Sequence, residues 1–571
     1  MSKKTARQPE QKTARSPIAP ALPEPKIKTA FSIPKPAMWL GLLAALIYLP
    51  SLFYGFTELD DSIFIRDFQA YNEDLHNIVT AFQRGLFDAV KDPYYRPLFS
   101  DSMIINYHLS GAENIWGYHL VNILLHVCSV VLLYKLFRRL NIKELHAFVL
   151  TLVFAVHPVL SQAVAWIPGR NDTMLAVFSL AFLIKSVDYS DSGKISSLLL
   201  SGLFLLLAFF TKETAVFLPP VALLLLLFVH DKKWNDKSNL VQYGVWLACF
   251  GIWYLARAMA TTASANMASA TALADAVHRL PVIVQYIGKI VLPLNLSVFP
   301  TQKDTVYFYG IAAIVLLAAT VLLYKGRSTK IVLSGLGIFL LFLMPALLVP
   351  THLNQQTFEH RLYLPLIGIL LMLSQTSLLN NRLADKQLLV GASVVCGVLA
   401  AINLYHQQSF KDPRSFWGQA VETSPHSAYA NMMYAARLDK EEKAKSEGLF
   451  RKAYGLNPRE KYLNFYMAEL LQNKDSVAAS EKYLLAEKEI SNYYKCDFML
   501  ARVAMERNDY AGAADNLQKY LAHDPANSKA NNNLLLLYLQ LNQAEKAKAQ
   551  IKQMRQMNLP VPPAISQQLG M

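Results

Sequence analysis

The sequence predicts an all-α protein in which a polytopic membrane helical bundle of about 11 spans precedes an α-solenoid of helical repeats. Two observations lead to this fold class. The composition is apolar, with 53% hydrophobic and 17% charged residues in 571 and a mean hydropathy of +0.23, and the apolar residues are concentrated in long uninterrupted segments. The last third of the chain is instead polar and repeats at a regular interval.

The apolar segments define the membrane domain, because a helix needs about 20 residues to cross the hydrocarbon core. A further stretch, 281–299, is interrupted by prolines, and we interpret it as re-entrant or interfacial. We therefore divide the chain into a disordered basic tail at 1–36, a transmembrane domain at 37–405 and a repeat domain at 406–571. The predicted spans are 37–55, 117–137, 146–166, 172–188, 195–211, 214–230, 241–259, 305–324, 331–350, 361–379 and 387–405.

The distribution of charge predicts the orientation in the membrane. The net charge is +14, but the basic residues lie in the tail and in alternate short loops, which is a topology signal and argues against a nucleic-acid partner. We expect a cytoplasmic N-terminus, an odd number of spans and periplasmic repeats, as in a protein of the bacterial inner membrane. The basic residues of the predicted inner loops are Arg138, Arg139, Lys143, Lys185, Lys194, Lys232, Lys233, Lys237, Lys325, Arg327, Lys330, Arg382 and Lys386.

The polar third of the chain contains about four repeats. In each, a small residue is followed by an apolar residue four positions on and a further small or apolar residue three positions after that, and the first positions are 33, 34 and 34 residues apart. Prolines at 425, 458, 525 and 560 keep the same register. This pattern is typical of tetratricopeptide repeats. The triplets are Ser446/Phe450/Ala453, Ala479/Tyr483/Ala486, Ala513/Leu517/Tyr520 and Ala547/Ile551/Met554.

Ionisable and polar residues collect at the predicted outer ends of the spans. Such groups are costly at bilayer depth unless they are paired or functional, so a one-sided collection suggests an active site at the outer membrane face. Solvated end residues, head-group contacts and helix end-caps are the simpler explanations for individual members. The candidates are Asp60, Asp61, Tyr95, Arg96, His157, Arg170, Lys212, Glu213, Glu359, His360 and Arg361.

These residues lie in phrases that together resemble the protein O-mannosyltransferases with tetratricopeptide repeats, in the GT-C class of glycosyltransferases. The phrases are ELDDSIFI, YYRPLFSDSMIINYHLSGAENIWGYHLVNILLH, FAVHPVLSQAVAWIPGRNDTMLAVF, LLLAFFTKETAVFLPP and FEHRLYLPLIG, in the family's order. The last phrase departs from the family's A-E-R-x-L-Y, because His360 separates Glu359 from Arg361.

The resemblance implies transfer of a sugar from a polyprenyl-phosphate carrier to a serine or threonine hydroxyl, with inversion at the anomeric carbon. An attacking hydroxyl needs a carboxylate base, for which either Asp60 or Asp61 is suited. A cation must stabilise the departing phosphate, and Arg96 is our first choice. Arg170, Lys212 and Arg361 follow as carrier-phosphate ligands, and Tyr95, His157, Glu213, Glu359 and His360 are supporting candidates.

The partners implied are a polyprenyl-phosphate-linked sugar, membrane lipid and an acceptor polypeptide held by the repeats. No P-loop, HExxH or paired CxxC is present, so nucleotide hydrolysis and standard zinc chemistry have no support. The resemblance allows for a divalent metal, but no ligand cluster in the sequence calls for a cofactor. Two alternative functions remain: a GT-C enzyme that glycosylates a lipid or polysaccharide, and a membrane-anchored repeat scaffold without catalysis.

Overall fold

The structure is a computed structural model that describes residues 33–87, 94–261, 276–348, 356–380, 384–473 and 476–570. These ranges are helical and contain no β-strand, although one isolated antiparallel bridge joins Thr301 to Gln356. The predicted all-α class is therefore confirmed. Most of the predicted tail, 1–36, lies outside the described residues.

The membrane part is built from helices of very different length. Several are interrupted by proline, which cannot donate the backbone hydrogen bond that continues a helix. Its α-helices are Pro36–Tyr48, Gln69–Asn72, Asn77–Thr80, Pro97–Ser110, Trp116–Arg139, Glu144–Val156, Ser161–Ala165, Arg170–Ser192, Ile195–Thr211, Leu218–Leu224, Lys237–Ala260, Pro281–Val291, Tyr307–Leu322, Thr329–Leu348, Pro365–Leu373, Ser377–Asn380 and Asp385–Gln407.

By length and composition, the described part of the chain has five helices that can cross a membrane, or six if a pair bent by 49° at Pro158 forms one span. Three of the other predicted spans correspond to shorter apolar helices. The predicted span 361–379 contains only the nine-residue helix Pro365–Leu373 and a short turn of helix after it. The chain thus has the helices of an integral membrane protein, and the count of eleven stays a prediction.

The stretch predicted to be re-entrant begins with the helix Pro281–Val291 and then continues without regular structure to residue 306. This helix crosses Tyr307–Leu322 at Gly288 and Gly310, where a Cβ added to Gly288 would lie 2.8 Å from the backbone nitrogen of Gly310. Small residues at a helix crossing let two backbones approach closely in the membrane. The glycine pair therefore allows the two helices to cross in close contact just before the non-helical segment that follows residue 291.

Ion pairs join several of the predicted inner loops at one end of the bundle. Arg139 pairs with Asp188 at 2.5 Å, Lys232 pairs with Asp191 at 3.0 Å, and Lys330 pairs with Asp231. Asp188 and Asp191 lie in the last turns of the helix Arg170–Ser192, and Asp172 lies in its first turn. At a rise of 1.5 Å per residue, Asp172 and Asp188 are about 24 Å apart. The basic loops and Asp172 therefore lie at opposite ends of the same helix.

The repeat domain is a row of antiparallel helices in which each helix up to Gln556 packs against the next one in the chain. This is the arrangement of an α-solenoid, and it agrees with the predicted repeats. Its α-helices are Pro413–Thr423, Ala428–Ala435, Lys443–Leu456, Leu463–Gln472, Val477–Ser491, Lys495–Glu506, Tyr510–Leu521, Ser528–Gln540, Ala544–Gln556 and Pro563–Gln568.

One predicted repeat triplet is wrong by one residue. Ala479 is exposed, and the buried positions of the helix Val477–Ser491 are Val477, Ser480, Leu484 and Glu487, so the triplet with the predicted spacing is Ser480, Leu484 and Glu487. The carboxylate of Glu487 accepts a hydrogen bond from the backbone nitrogen of Tyr462 at 2.9 Å. A charged residue thus occupies an inward position because a neighbouring turn supplies its partner, and apolar patterning alone does not predict this.

The first repeat packs directly against the loop that carries Asp60 and Asp61. The backbone nitrogen of Gly55 donates to the carbonyl of Lys411 at 2.8 Å, and the indole nitrogen of Trp417 donates to the carbonyl of Thr57 at 3.1 Å. Arg437 forms an ion pair of 2.8 Å with Glu58, a non-glycine residue with φ of +55°. Three contacts from the repeat domain thereby hold the loop from Gly55 to Asp61.

Candidate active site

A cavity of about 370 Å³ opens at the end of the bundle opposite the basic loops, and we call it the charged cavity. It brings together six of the sequence-predicted residues from four separate parts of the chain. Its ionisable lining residues are Asp60, Arg96, Asp172, Lys212, Glu213, Arg257, His360 and Arg361.

The structure separates the two adjacent aspartates. The Asp61 side chain is only 1% exposed, and it accepts hydrogen bonds from the backbone nitrogen and hydroxyl of Thr57 at 2.6 and 2.9 Å and from the backbone nitrogen of Ser62 at 3.0 Å. The Asp60 carboxylate lines the cavity and accepts no hydrogen bond from the described residues. Asp61 shapes the turn, whereas Asp60 is available to a ligand.

The electrostatic surroundings favour a proton acceptor at Asp60. Burial raises the pKa of the Asp60 carboxyl to about 6, the neighbouring Asp61 adds to the rise, and Arg96 opposes it. A carboxylate with a pKa close to neutral pH is a better base than an ordinary surface aspartate.

Two cations of the cavity are paired with carboxylates. Arg96 donates through Nε and Nη2 to one oxygen of Glu213, at 3.0 and 2.9 Å, and Lys212 pairs with Asp172 at 2.6 Å. All four side chains remain 10–23% exposed to the cavity. The pairs keep the cations in place in an enclosed site and leave their outer faces open to a ligand.

The segment from Glu359 to Arg361 is divided between the protein interior and the cavity. The Glu359 carboxylate is buried, and it accepts from Lys289 at 2.5 Å and from the backbone nitrogen of Ser297 at 2.7 Å. The backbone nitrogen of Glu359 donates to the side chain of Gln162. His360 and Arg361, directly after it, line the cavity. The Glu359 side chain thus points into the protein interior, and the side chains of His360 and Arg361 face the cavity.

Arg361 differs from the paired cations. Its guanidinium donates to the carbonyl of Gln356 at 3.1 Å and lies 5.8 Å from the ring centre of Phe358. No carboxylate of the described chain forms an ion pair with it. Arg361 therefore has the larger capacity to bind an anion.

Besides Asp61 and Glu359, three more sequence-predicted residues lie outside the cavity. Arg170 is fully buried and donates to the side chains of Asn122 at 3.0 Å and Asn106 at 2.7 Å, so its guanidinium is used internally. His157 binds the carbonyl of Ile290, and the Tyr95 hydroxyl donates to the carbonyl of Phe82. These contacts give all three a role in packing.

Two residues of the cavity, Asp172 and Arg257, were not among the site residues predicted from the sequence. Asp172 stands in the Arg170-Asn171-Asp172 phrase, which sequence patterning already places at the outer end of a span, and its ion pair with Lys212 gives it a partner in the cavity. Arg257 lies near the end of the predicted span 241–259, where counting spans already places it on the outer side. This position at the outer end of a predicted span is the sequence signal that indicates Arg257 as a site residue.

The charges of the cavity nearly balance. Four cations, counting Arg96, Lys212, Arg257 and Arg361, face three carboxylates, so the lining has a formal surplus of one positive charge. Over the described residues, no group of three or more His, Cys, Asp and Glu side chains is arranged to hold a metal ion.

Comparison with known proteins confirms the family resemblance. Residues 97–255 match the sequence profile of the family described as dolichyl-phosphate-mannose-protein mannosyltransferase, and residues 504–559 match that of the tetratricopeptide repeat. The first match includes Asp172, Lys212 and Glu213 of the cavity and excludes Asp60, Arg96 and Arg361.

Curated relatives carry names that agree with this match. The protein O-mannosyl-transferase TMTC1 of Mus musculus is 36% identical over 167 residues, which are 27% of this chain and 18% of that protein. The protein O-mannosyl-transferase F38B6.6 of Caenorhabditis elegans is 32% identical over 160 residues, 28% of this chain and 22% of its own length. The matched part of the chain thus spans about a fifth of these relatives.

Among solved structures, the mycobacterial arabinofuranosyltransferase AftD is similar over 67% of this chain and 27% of its own. The sequence identity is 18% and the TM-score is 0.36.

Proposed function

We propose that this protein is an inverting glycosyltransferase that moves a sugar, mannose or a similar one, from a polyprenyl-phosphate carrier to serine or threonine hydroxyls of extracytoplasmic proteins. The observation that carries the proposal is the charged cavity, where the unpaired Asp60 carboxylate stands among four cations. The match of residues 97–255 to the mannosyltransferase family supports the choice of reaction and of donor.

Asp60 acts as the general base. The acceptor hydroxyl transfers its proton to the Asp60 carboxylate while its oxygen attacks the anomeric carbon from the face opposite the phosphate. The bond between that carbon and the phosphate oxygen breaks, and its electron pair leaves with the polyprenyl phosphate. A single displacement at the anomeric carbon, with attack opposite the leaving group, inverts its configuration. The phosphate is a good leaving group and needs no general acid.

The cations bind the carrier phosphate. A phosphodiester carries one negative charge in the donor and gains a second as it leaves, which suits a lining with a surplus of positive charge. Arg361 binds the phosphate directly because no carboxylate occupies it, while Arg96 and Lys212 add charge from their pairs with Glu213 and Asp172. Arginine is well suited to the planar, two-pronged recognition of phosphate oxygens.

The division of the chain completes the proposal. Residues 37–405 form the catalytic membrane domain, 1–36 a cytoplasmic tail and 406–571 a periplasmic repeat domain that holds the acceptor polypeptide. Packing of the first repeat against the loop from Gly55 to Asp61 supports a site on the same side as the repeats. A bacterial inner membrane is the proposed location.

The test is transfer by the purified full-length chain in lipid nanodiscs. Polyprenyl-phosphate mannose and a serine- or threonine-containing peptide should give a peptide of increased mass, and NMR of the product should show the anomeric configuration opposite to that of the donor. Asp60→Asn is the inactive control. Transfer to a lipid or polysaccharide and not to peptide would favour the alternative enzyme, and the absence of transfer and of carrier cleavage would favour the scaffold.

A further inference from the structure

A second cavity, of about 920 Å³, lies between the membrane domain and the first two repeats. One wall is the segment from Phe299 to Tyr307, and the opposite wall is formed by His426–Tyr429 and Leu456–Glu460 of the repeats. We call it the interdomain cavity. No part of the reaction described above uses it.

The two walls are fixed to each other by hydrogen bonds at the cavity edge. The Ser424 hydroxyl donates to the carbonyl of Phe299 at 2.8 Å, and His426 pairs with Asp304 at 2.6 Å. The ring of Tyr429 stacks on Phe299 with a centroid separation of 5.7 Å. The cavity is therefore formed before a ligand arrives, which lowers the entropic cost of binding.

The interdomain cavity and the charged cavity meet at two residues. Asp60 and Phe358 line both, so the proposed base is reached from two sides. The cations Arg96, Lys212 and Arg361 lie on the charged side only, where the carrier phosphate binds. A second substrate can then approach Asp60 through the interdomain cavity.

We propose that the interdomain cavity binds an extended, uncharged segment of the acceptor polypeptide and leads its serine or threonine hydroxyl to Asp60. The inference rests on the proposed function and extends it, because it assigns a specific binding site to the acceptor.

The lining suits a peptide of this kind. The side-chain amides of Gln302 and Asn457 each donate one hydrogen bond within the protein, to the carbonyl of His278 and to Glu460, and each has a second N–H for a peptide carbonyl. The rings of Phe299, Tyr307 and Tyr429 offer flat surfaces for side chains. Its formal charges cancel, with Arg279 and Lys303 opposite Asp60 and Glu460. Neutral segments are therefore favoured over strongly acidic or basic ones.

A polypeptide is favoured over a polysaccharide because seven of the eighteen lining residues belong to the repeats. Stacked helical repeats create extended concave surfaces for binding other chains, and the repeat residues here are the ones that face Asp60 across the cavity. A polysaccharide acceptor is the competing occupant and becomes an outcome of the test.

The experiment places a bulky side chain in the interdomain cavity. Leu456, at the end of the helix Lys443–Leu456, is 37% exposed and lines the cavity, and Leu485 is 54% exposed on the helix Val477–Ser491 and does not. Leu456→Trp should raise KM for a peptide acceptor about tenfold, a typical loss for a packed binding contact, and leave hydrolysis of the carrier by water unchanged. Leu485→Trp is the matched control and should change neither.

Photo-crosslinking gives a second readout that does not depend on rates. A benzoylphenylalanine at position 456 of the full-length chain should capture the peptide acceptor, and one at position 485 should not. Normal KM for Leu456→Trp together with no crosslink would overturn the inference and leave the proposed glycosyltransferase intact. Impaired transfer to a polysaccharide and not to peptide would overturn it in favour of that occupant. Failure of the unmodified protein to cleave the carrier would overturn the inference and the proposed function together.

Discussion

Asp60 and Asp61 are chemically identical neighbours, and their surroundings give them different roles. Three hydrogen bonds from Thr57 and Ser62 use the carboxylate of Asp61, while that of Asp60 faces both cavities. Desolvation penalises the charged form of both residues, but only Asp60 has room for an incoming hydroxyl. The two roles differ because Thr57 and Ser62 donate their hydrogen bonds to the carboxylate of Asp61 and not to that of Asp60.

The first prediction compares the two aspartates. Asp60→Asn removes the proposed base and should lower kcat by about 10²–10⁴, with unchanged carrier binding and thermal stability. Asp61→Asn removes an acceptor from a buried turn and should lower the free energy of unfolding by about 1–3 kcal/mol. Thermal unfolding and single-turnover rates of the two variants check this. Near-full activity of Asp60→Asn would assign the base elsewhere, with Glu213 as the next candidate.

The second prediction concerns pH. Because the base must be ionised and the pKa of Asp60 is raised to about 6, the rate should fall as pH drops through 6 and reach a plateau above it. Asp61 and Arg96 face the carboxyl, and the Tyr429 hydroxyl lies near it. The pH dependence of kcat/KM checks this, and a rate that is constant from pH 5 to 8 would contradict it.

The third prediction separates two cations. Arg361→Gln removes a guanidinium without a carboxylate partner, so carrier affinity and kcat should fall by about 10²–10³ while the fold is kept. Arg96→Gln leaves the Glu213 carboxylate unpaired and should lower thermal stability as well. Carrier binding and unfolding temperature, measured side by side, distinguish the two. Equal stability losses in both variants would contradict it.

At the scale of elements, the loop from Gly55 to Asp61 depends on the repeat domain for its shape. Lys411, Trp417 and Arg437 each contact this loop, so removal of the repeats would disturb the proposed base as well as the proposed acceptor site. A deletion that abolishes activity therefore does not distinguish these causes, and single substitutions are needed.

The fourth prediction uses the smallest such change. Trp417→Phe keeps a buried aromatic ring and removes the indole N–H that donates to the carbonyl of Thr57. The loss of one neutral hydrogen bond, about 0.5–1.5 kcal/mol, should lower kcat about two- to tenfold for peptide and water acceptors alike. Trp234→Phe, at a residue 66% exposed, is the matched control and should have no effect. A change confined to the peptide KM would contradict a role in holding the loop.

At the scale of the whole molecule, patterning in the sequence predicted the helical class, the repeats and six of the eight ionisable residues named above in the lining of the charged cavity. It did not predict that Arg170 is used internally, because its partners Asn106 and Asn122 come from other helices. The choice between Asp60 and Asp61 depends on which carboxylate Thr57 and Ser62 bind, and residue patterning does not show this. The interdomain cavity depends on contacts between residues far apart in sequence. Prolines limited the prediction of the span boundaries, because they shorten a helix without changing the hydropathy of the segment.

The last prediction is the orientation, and the structure gives an argument that does not depend on the number of spans. Ion pairs gather Arg139, Lys232 and Lys330 at one end of the bundle, and the helix Arg170–Ser192 places Asp172 about 24 Å away at the other. Basic loops stay in the cytoplasm. The charged cavity and the repeats packed beside it are then expected outside.

The final helix of the membrane part supports the same orientation. Asp385–Gln407 ends where Gln407 donates to the carbonyl of Ile47 at 2.9 Å, and the chain then enters the first repeat, which contacts the loop of Asp60. Reporter fusions at 190, 235 and 383 should report the cytoplasm, and a fusion at 571 should report the periplasm. Accessibility of a cysteine at the exposed Lys303, in the wall of the interdomain cavity, to an impermeant thiol reagent provides an independent check. A cytoplasmic signal at 571 with no labelling at 303 would reverse the orientation and remove extracytoplasmic proteins as acceptors.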